Sequence, residues 1–123
     1  MITSIRATID TDGSGVGAWT DAVRRHGRLL AIGVAYHASI DAGTDVTVTC
    51  TSAIGATQTL LFTENNKTDA WYYPRAATTT AALVAITNSF TEIVFDGTFA
   101  IAVAQAGATP RTPGVTVDIV FET

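Results

Sequence analysis

Val115-Thr116-Val117-Asp118-Ile119-Val120-Phe121-Glu122 sends Val115, Val117, Ile119 and Phe121 to one side, while Thr116, Asp118 and Glu122 point mostly to water. A period of two marks a pleated strand with one face on a core and the other solvated. Val46, Val48 and Cys50 alternate with Thr47, Thr49 and Thr51 in the same way, which makes Cys50 a small buried hydrophobe before anything reactive. Composition points the same way: 22 of the 123 residues are Thr, with Val and Ile plentiful, and β-branched side chains fit sheets better than helices. Ala is also abundant and alone would leave helix open, so the alternation decides.

Working outward, turn signals recur at short intervals: Asp12-Gly13-Ser14-Gly15, His26-Gly27, Asp41-Ala42-Gly43, Asn65-Asn66-Lys67, Asp96-Gly97 and Pro110 to Gly114. Asp96-Gly97 is the sharpest of them and predicts a type I′ hairpin. Between the turns lie candidate strands at Ile2–Ile9, Val16–Val23, Arg28–His37, Thr44–Thr51, Gln58–Thr63, Trp71–Arg75, Phe90–Phe95, Thr98–Gln105 and Val115–Glu122. Thr79–Thr87 has neither period and is open between a strand and a short helix. No linker and no internal repeat divides the chain. The expectation is one all-β domain over residues 1–123, an antiparallel, jelly-roll-like β-sandwich of about eight or nine strands with little or no helix. Residues 1–26 form an arm or peripheral strands.

Two strands lack a polar face. Leu30, Ile32, Val34 and Tyr36 oppose Leu29, Ala31, Gly33 and Ala35, and Phe99, Ile101 and Val103 oppose Ala100, Ala102 and Ala104. A smooth uncharged face admits another layer. That layer is either a neighbouring subunit or the chain's own segments, the Thr79–Thr87 loop or an N-terminal arm.

Charge and motifs exclude several function classes. A net charge of −4 with a single lysine, Lys67, is a poor surface for nucleic acid. The run Arg24, Arg25, His26 and Arg28 reads as a solvated turn ahead of an anion site. One cysteine allows neither an intramolecular disulfide nor a multi-cysteine zinc site. Met1–Arg6 lacks the features of a secretory leader, and Leu29–Tyr36 is too short to span a bilayer, so the protein is expected to be soluble and made in a cytoplasm. His26 and His37 lie in or beside predicted turns with no nucleophile elbow in the sequence. Asp41 and Asp45 around Gly43 read as a capped turn before a calcium loop. No phosphate-binding loop follows a strand. Asn66-Lys67-Thr68 fits a glycosylation pattern by chance. The expectation is a non-enzymatic protein without cofactor or metal.

Asp69-Ala70-Trp71-Tyr72-Tyr73-Pro74-Arg75 gathers three of the ten aromatics. As a strand it sets Trp71 and Tyr73 on one face and Tyr72 on the other, and Pro74 places it at a sheet edge or ends it. Exposed Trp, Tyr and Arg dominate protein interfaces and also make sugar platforms; the alternative is that Trp71 and one tyrosine are core.

Gly27-Arg28-Leu29-Leu30-Ala31-Ile32-Gly33-Val34-Ala35-Tyr36, then Thr44-Asp45-Val46-Thr47-Val48, Thr59-Leu60-Leu61, Asn65 through Arg75 and Val103-Ala104-Gln105, run in an order that resembles small β-sandwich structural proteins of tailed-bacteriophage virions. The resemblance covers Gly27–Glu122; Ile2–Val23 departs from it. It implies a capsid decoration or cement protein, a homo-oligomer with a trimer favoured, bound to the major capsid protein on the outer surface of the virion shell and made in the bacterial host cytoplasm. Neither nucleic acid nor membrane is an expected partner. The candidate interface comprises Leu29, Ala31, Gly33 and Ala35, then Trp71, Tyr72, Tyr73 and Arg75, then Ala100, Ala102 and Ala104. A carbohydrate- or receptor-binding module of a tail or fibre, with Trp71, Tyr72 and Tyr73 stacking on sugar rings, is the alternative.

Overall fold

The computed structural model describes the backbone of residues 1–79 and 85–123 and the side chains of 1–76 and 90–123. Ten strands follow in order: β1 Ile2–Thr11, β2 Gly17–Thr20, β3 Arg25–Tyr36, β4 Asp45–Thr51, β5 Thr57–Thr63, β6 Ala70–Tyr72, β7 Arg75–Thr79, β8 Ala85–Glu92, β9 Val94–Ala104 and β10 Arg111–Glu122. All pairings are antiparallel, and no helix occurs among the described residues. The all-β antiparallel sandwich expected from the alternation is the fold the chain adopts.

One layer runs β1-β10-β3-β6 and the other β2-β9-β4-β5. β9 belongs to both: Val94–Gly97 pairs with Arg25–Arg28 of β3, and the rest of the strand pairs with β2 and β4. β7 and β8 form a separate two-stranded ribbon. Between the layers the inward residues make one core, with Val115, Val117, Ile119 and Phe121 of β10 facing Phe99, Ile101 and Val103 of β9. At its centre Phe95, Phe99 and Phe121 meet at ring-centroid distances of 4.9, 5.2 and 5.9 Å in tilted and edge-to-face geometry, which suits the aromatic quadrupole. Cys50 lies in this core, and burial pushes its thiol pKa up, as expected of an unreactive cysteine.

Two local expectations change, and two that were open between alternatives are narrowed. Asp96-Gly97 is not a hairpin turn, because β9 runs straight through it. A Cβ at residue 97 would collide with the Thr51 carbonyl, so this glycine answers a close approach between strands. Arg25–Gly27 is likewise the start of β3 and not a turn; the break in this region falls at Ile93, whose carbonyl accepts the Leu29 N–H at 2.8 Å. Residues 1–26 supply β1, β2 and the start of β3, with Ala7 and Ile9 fully in the core, so they are strands of the sandwich and not an arm. Of Thr79–Thr87, residues 80–84 lie outside the described residues, and from Ala85 the chain is strand.

Candidate functional site

The antiparallel register writes one row of residues straight across each outer face. On the first layer the row is Arg6 on β1, Asp118 on β10, Gly33 on β3 and Trp71 on β6. On the second it is Ala18 on β2, Ala102 on β9, Thr47 on β4 and Phe62 on β5. The first row contains a charge pair and an indole. The second contains no charge.

Gly33 explains how the first row is built. Three consecutive carbons of the Trp71 six-membered ring, Cη2, Cζ3 and Cε3, stand 2.9, 2.9 and 3.0 Å from where a Cβ on residue 33 would be. An edge-on ring would bring one of these atoms distinctly closer than its neighbours, so the indole lies face-down on the glycine. Only a residue without a side chain permits that approach. Trp71 remains 53% exposed, leaving its outer ring face to solvent. Beside it, Arg6 Nε and Nη2 donate to the two Asp118 carboxylate oxygens at 2.7 and 2.9 Å, a bidentate pair. That bonding to Asp118 holds the fully exposed Arg6 guanidinium above its ordinary pKa. Asp69 accepts the Tyr36 backbone N–H at 2.8 Å and lines the same depression, about 370 Å³, with Ala35 and Thr116.

The second outer face is uncharged across its middle. Next to Ala18-Ala102-Thr47-Phe62 runs Thr20-Ala100-Thr49-Thr59, again without a charge. Ala18, Ala102 and Ala104 are exposed, as is Val16 just before β2, and Phe62 is 56% exposed. Asp45 stands at the margin, where its carboxylate accepts from the Gln105 side chain and the Asn65 backbone.

The candidate interface residues therefore divide. Ala100, Ala102 and Ala104 sit on the second layer's outer face, whereas Ala31, Gly33, Ala35 and Trp71 sit on the opposite side of the sandwich. Ala31 and Gly33 are already buried, and Trp71 of the same chain lies over Gly33. Leu29 cannot touch a neighbour: Phe121 pairs with Leu29 and Val120 with Ala31, so Leu30 is an extra, bulged residue that swings Leu29 into the core. Tyr72 turns inward against the core, and its hydroxyl accepts from Asn66 Nδ2 at 3.0 Å. Tyr73 and Arg75 are exposed, and Arg75 opens β7 after the break at Pro74. The exposed Arg6 and its largely buried partner Asp118 escaped the sequence reading because they lie 112 residues apart and only the β1–β10 register joins them.

The basic run is neutralised arginine by arginine. Arg24 forms a bidentate pair with Asp96, Arg25 reaches Asp21 at 2.9 Å, and Arg28 bridges Glu92 and Glu122. Hydrogen bonding from Arg24 lowers the Asp96 pKa. An anion site has no uncompensated cation here. Asp41 caps its own turn by accepting the Gly43 N–H at 2.7 Å, and His37 Nδ1 accepts the Ser39 N–H at 3.0 Å. Among the described residues no group of three or more His, Cys, Asp or Glu converges on a metal position.

No protein-family model and no curated protein matches the chain. Among solved structures it is similar to a serine protease of Aeromonas sobria, at 10% identity and TM-score 0.40, over 99% of this chain and 26% of the protease. It is also similar to CBM32-3 from a family 31 glycoside hydrolase of Clostridium perfringens, at 10% identity and TM-score 0.39, over 90% and 78% of the two chains. The chain thus spans about a quarter of the length of the protease it matches.

Proposed function

We propose that the chain is a non-enzymatic virion structural protein, a decoration or cement protein that self-associates and binds the outer capsid shell of a tailed bacteriophage. The observation that carries this reading is the uncharged outer face of the second layer, Ala18-Ala102-Thr47-Phe62 with Thr20-Ala100-Thr49-Thr59 beside it. A chain of net charge −4 repels its own copies, and self-association is least opposed through a face that carries no acid. Small Ala and Thr side chains let a second copy approach closely, and Phe62 at the rim supplies the larger apolar anchor. The count of three subunits and the major capsid protein as partner come from the resemblance to phage structural proteins.

On this reading the mechanism is additive binding. Each contact with the shell needs only modest affinity, because an oligomer that touches several capsid subunits turns the later contacts into intramolecular ones. Stabilisation of the shell then follows from preferential binding to the intact lattice. The test is the mass of the purified protein in solution, followed by co-sedimentation with capsids assembled without it. An oligomer that pellets with such capsids and raises their rupture temperature is the expected result. A strict monomer that stays in the supernatant overturns the proposal.

A further inference from the structure

We propose that the opposite outer face carries a saccharide-binding site, with the upturned face of Trp71 as the stacking platform and Arg6, Asp118 and Asp69 as its polar rim. This is independent of the decoration reading, because it uses none of the residues of the uncharged face.

Three features point to a pyranose ring. First, Trp71 is pinned flat on Gly33, so its free face is presented parallel to the sheet without the rotamer search an unpinned tryptophan would need. A pyranoside offers a patch of C–H groups on one ring face, and the electron-rich face of an indole attracts such positively polarised hydrogens. Second, the rim pairs donors with acceptors. The guanidinium of Arg6 spends two of its five N–H groups on Asp118 and has others to donate, and each Asp118 oxygen keeps a further acceptor position. Vicinal sugar hydroxyls, which both donate and accept, match a carboxylate and guanidinium held side by side. Third, Arg6, Asp69 and Asp118 all border one depression of about 370 Å³ beside the indole, so the polar groups that would meet a sugar's hydroxyls gather at the edge of the stacking platform.

The same features disfavour other ligands. Two carboxylates against one guanidinium repel phosphates and phosphorylated nucleotides. A single aromatic wall is less than the cage that quaternary ammonium ions usually find. An aliphatic ligand would leave the polar rim without partners.

The experiment is an NMR titration of the intact chain with the methyl pyranosides of glucose, galactose, mannose and N-acetylglucosamine. The readout is the indole N–H of Trp71 in the parent chain and, in every variant, the Gly33 backbone amide and the Arg6 Nε–H, which border the same depression, with the Trp19 indole as the internal control. Expected results are saturable movement of the Trp71, Gly33 and Arg6 resonances with at least one of these sugars, loss of the Gly33 and Arg6 movement in Trp71→Ala, its partial retention in Trp71→Phe, and about tenfold weaker binding in Asp118→Asn. Should Trp71→Ala unfold, Trp71→Phe and Asp118→Asn carry the test. No movement with any pyranoside overturns the proposal. So does movement that Asp118→Asn and the Trp71 variants leave unchanged, or a response to tetramethylammonium or adenosine where no sugar gives one. Failure of decoration with retained sugar binding, or the reverse, separates the two proposals.

Discussion

The two outer faces of this sandwich are made by the same device, a four-residue row fixed by antiparallel register, and they differ in everything chemical. Arg6-Asp118-Gly33-Trp71 pairs opposite charges and folds the chain's own indole over its only gap. Ala18-Ala102-Thr47-Phe62 has no charge, and Ala18, Ala102 and Phe62 are exposed. On the first face the chain covers its own glycine and leaves a polar rim beside the indole. The second leaves its uncharged side chains open, and on the proposed function a second copy covers them. Two-sided apolar strands have two remedies, a covering side chain from the next strand or a covering neighbour; the first face shows the first remedy, and the proposed self-association would supply the second.

The sharpest way to break that comparison is a charge in the middle of the uncharged row. Ala102→Glu should raise the dissociation constant of self-association by about a hundredfold or more, since a buried unpaired carboxylate opposes a contact by several kcal/mol. Thr8→Glu adds the same charge to the other face and should leave the mass in solution unchanged, as sedimentation velocity will show. Equal effects of the two substitutions would trace self-association to net charge and remove the distinction between the faces.

A smaller effect is expected where the chain covers itself. Gly33→Ala sets a methyl group into the Trp71 ring face and must lift the indole or shift the strand, at a cost of about 1–3 kcal/mol in unfolding free energy. In a Trp19→Phe background the Trp71 emission should move to longer wavelength at the same time. An unchanged unfolding midpoint would mean that the indole is not seated on the glycine.

Much of this arrangement was legible in the residues, and the parts that were not share a cause. The alternation in Val115–Glu122 and Val46–Thr51 identified β10 and β4 and their inward faces, because period two is a local property. Leu29 was assigned to the wrong face because a bulge adds one residue to one strand of a pair, and that is decided by the partner strand. Asp96-Gly97 has ideal turn chemistry and is strand nonetheless, since the Thr51 carbonyl packs against the glycine and Arg24 holds the aspartate. The aromatic segment announced a surface feature, but Gly33 and the Arg6–Asp118 pair that complete it come from three other strands. Register, which no stretch of the chain contains by itself, is what brought them together.

The seam between the layers offers a pH test of comparable or smaller size. Asp21, nearly buried, accepts the Val23 backbone N–H at 3.1 Å and Arg25 Nε at 2.9 Å, where β3 begins its pairing with β9. Burial works to raise its pKa, but the Arg25 hydrogen bond, the Val23 N–H and the Arg25 charge together outweigh it and the net shift is downward. A carboxylate whose pKa is lower folded than unfolded stabilises the fold above its unfolded pKa, and this contribution fades as pH falls through the folded value. Asp21→Asn should therefore cost about 1–2 kcal/mol near neutral pH. The difference from the parent protein should shrink as the solution is acidified below about pH 4. A gap that persists undiminished at low pH would show that shape, not charge, holds the seam.

The smallest effect on stability should come from the first row's own charges. Arg6 is fully exposed, and its pair with Asp118 spans two strands already joined by a nine-pair register, so neither burial nor chain entropy gives the ion pair much leverage over folding. Arg6→Gln should leave the thermal midpoint within error of the parent at moderate salt. It should still weaken any ligand seated on Trp71, because the guanidinium's outward donors are lost while the sheet beneath stays as it was. A clear drop in midpoint, reversed by the compensating exchange Arg6→Asp with Asp118→Arg, would mean that the pair clamps β1 to β10. The charged face would then be as purely architectural as the core beneath it, and the contrast with the alanine face would lose its functional meaning.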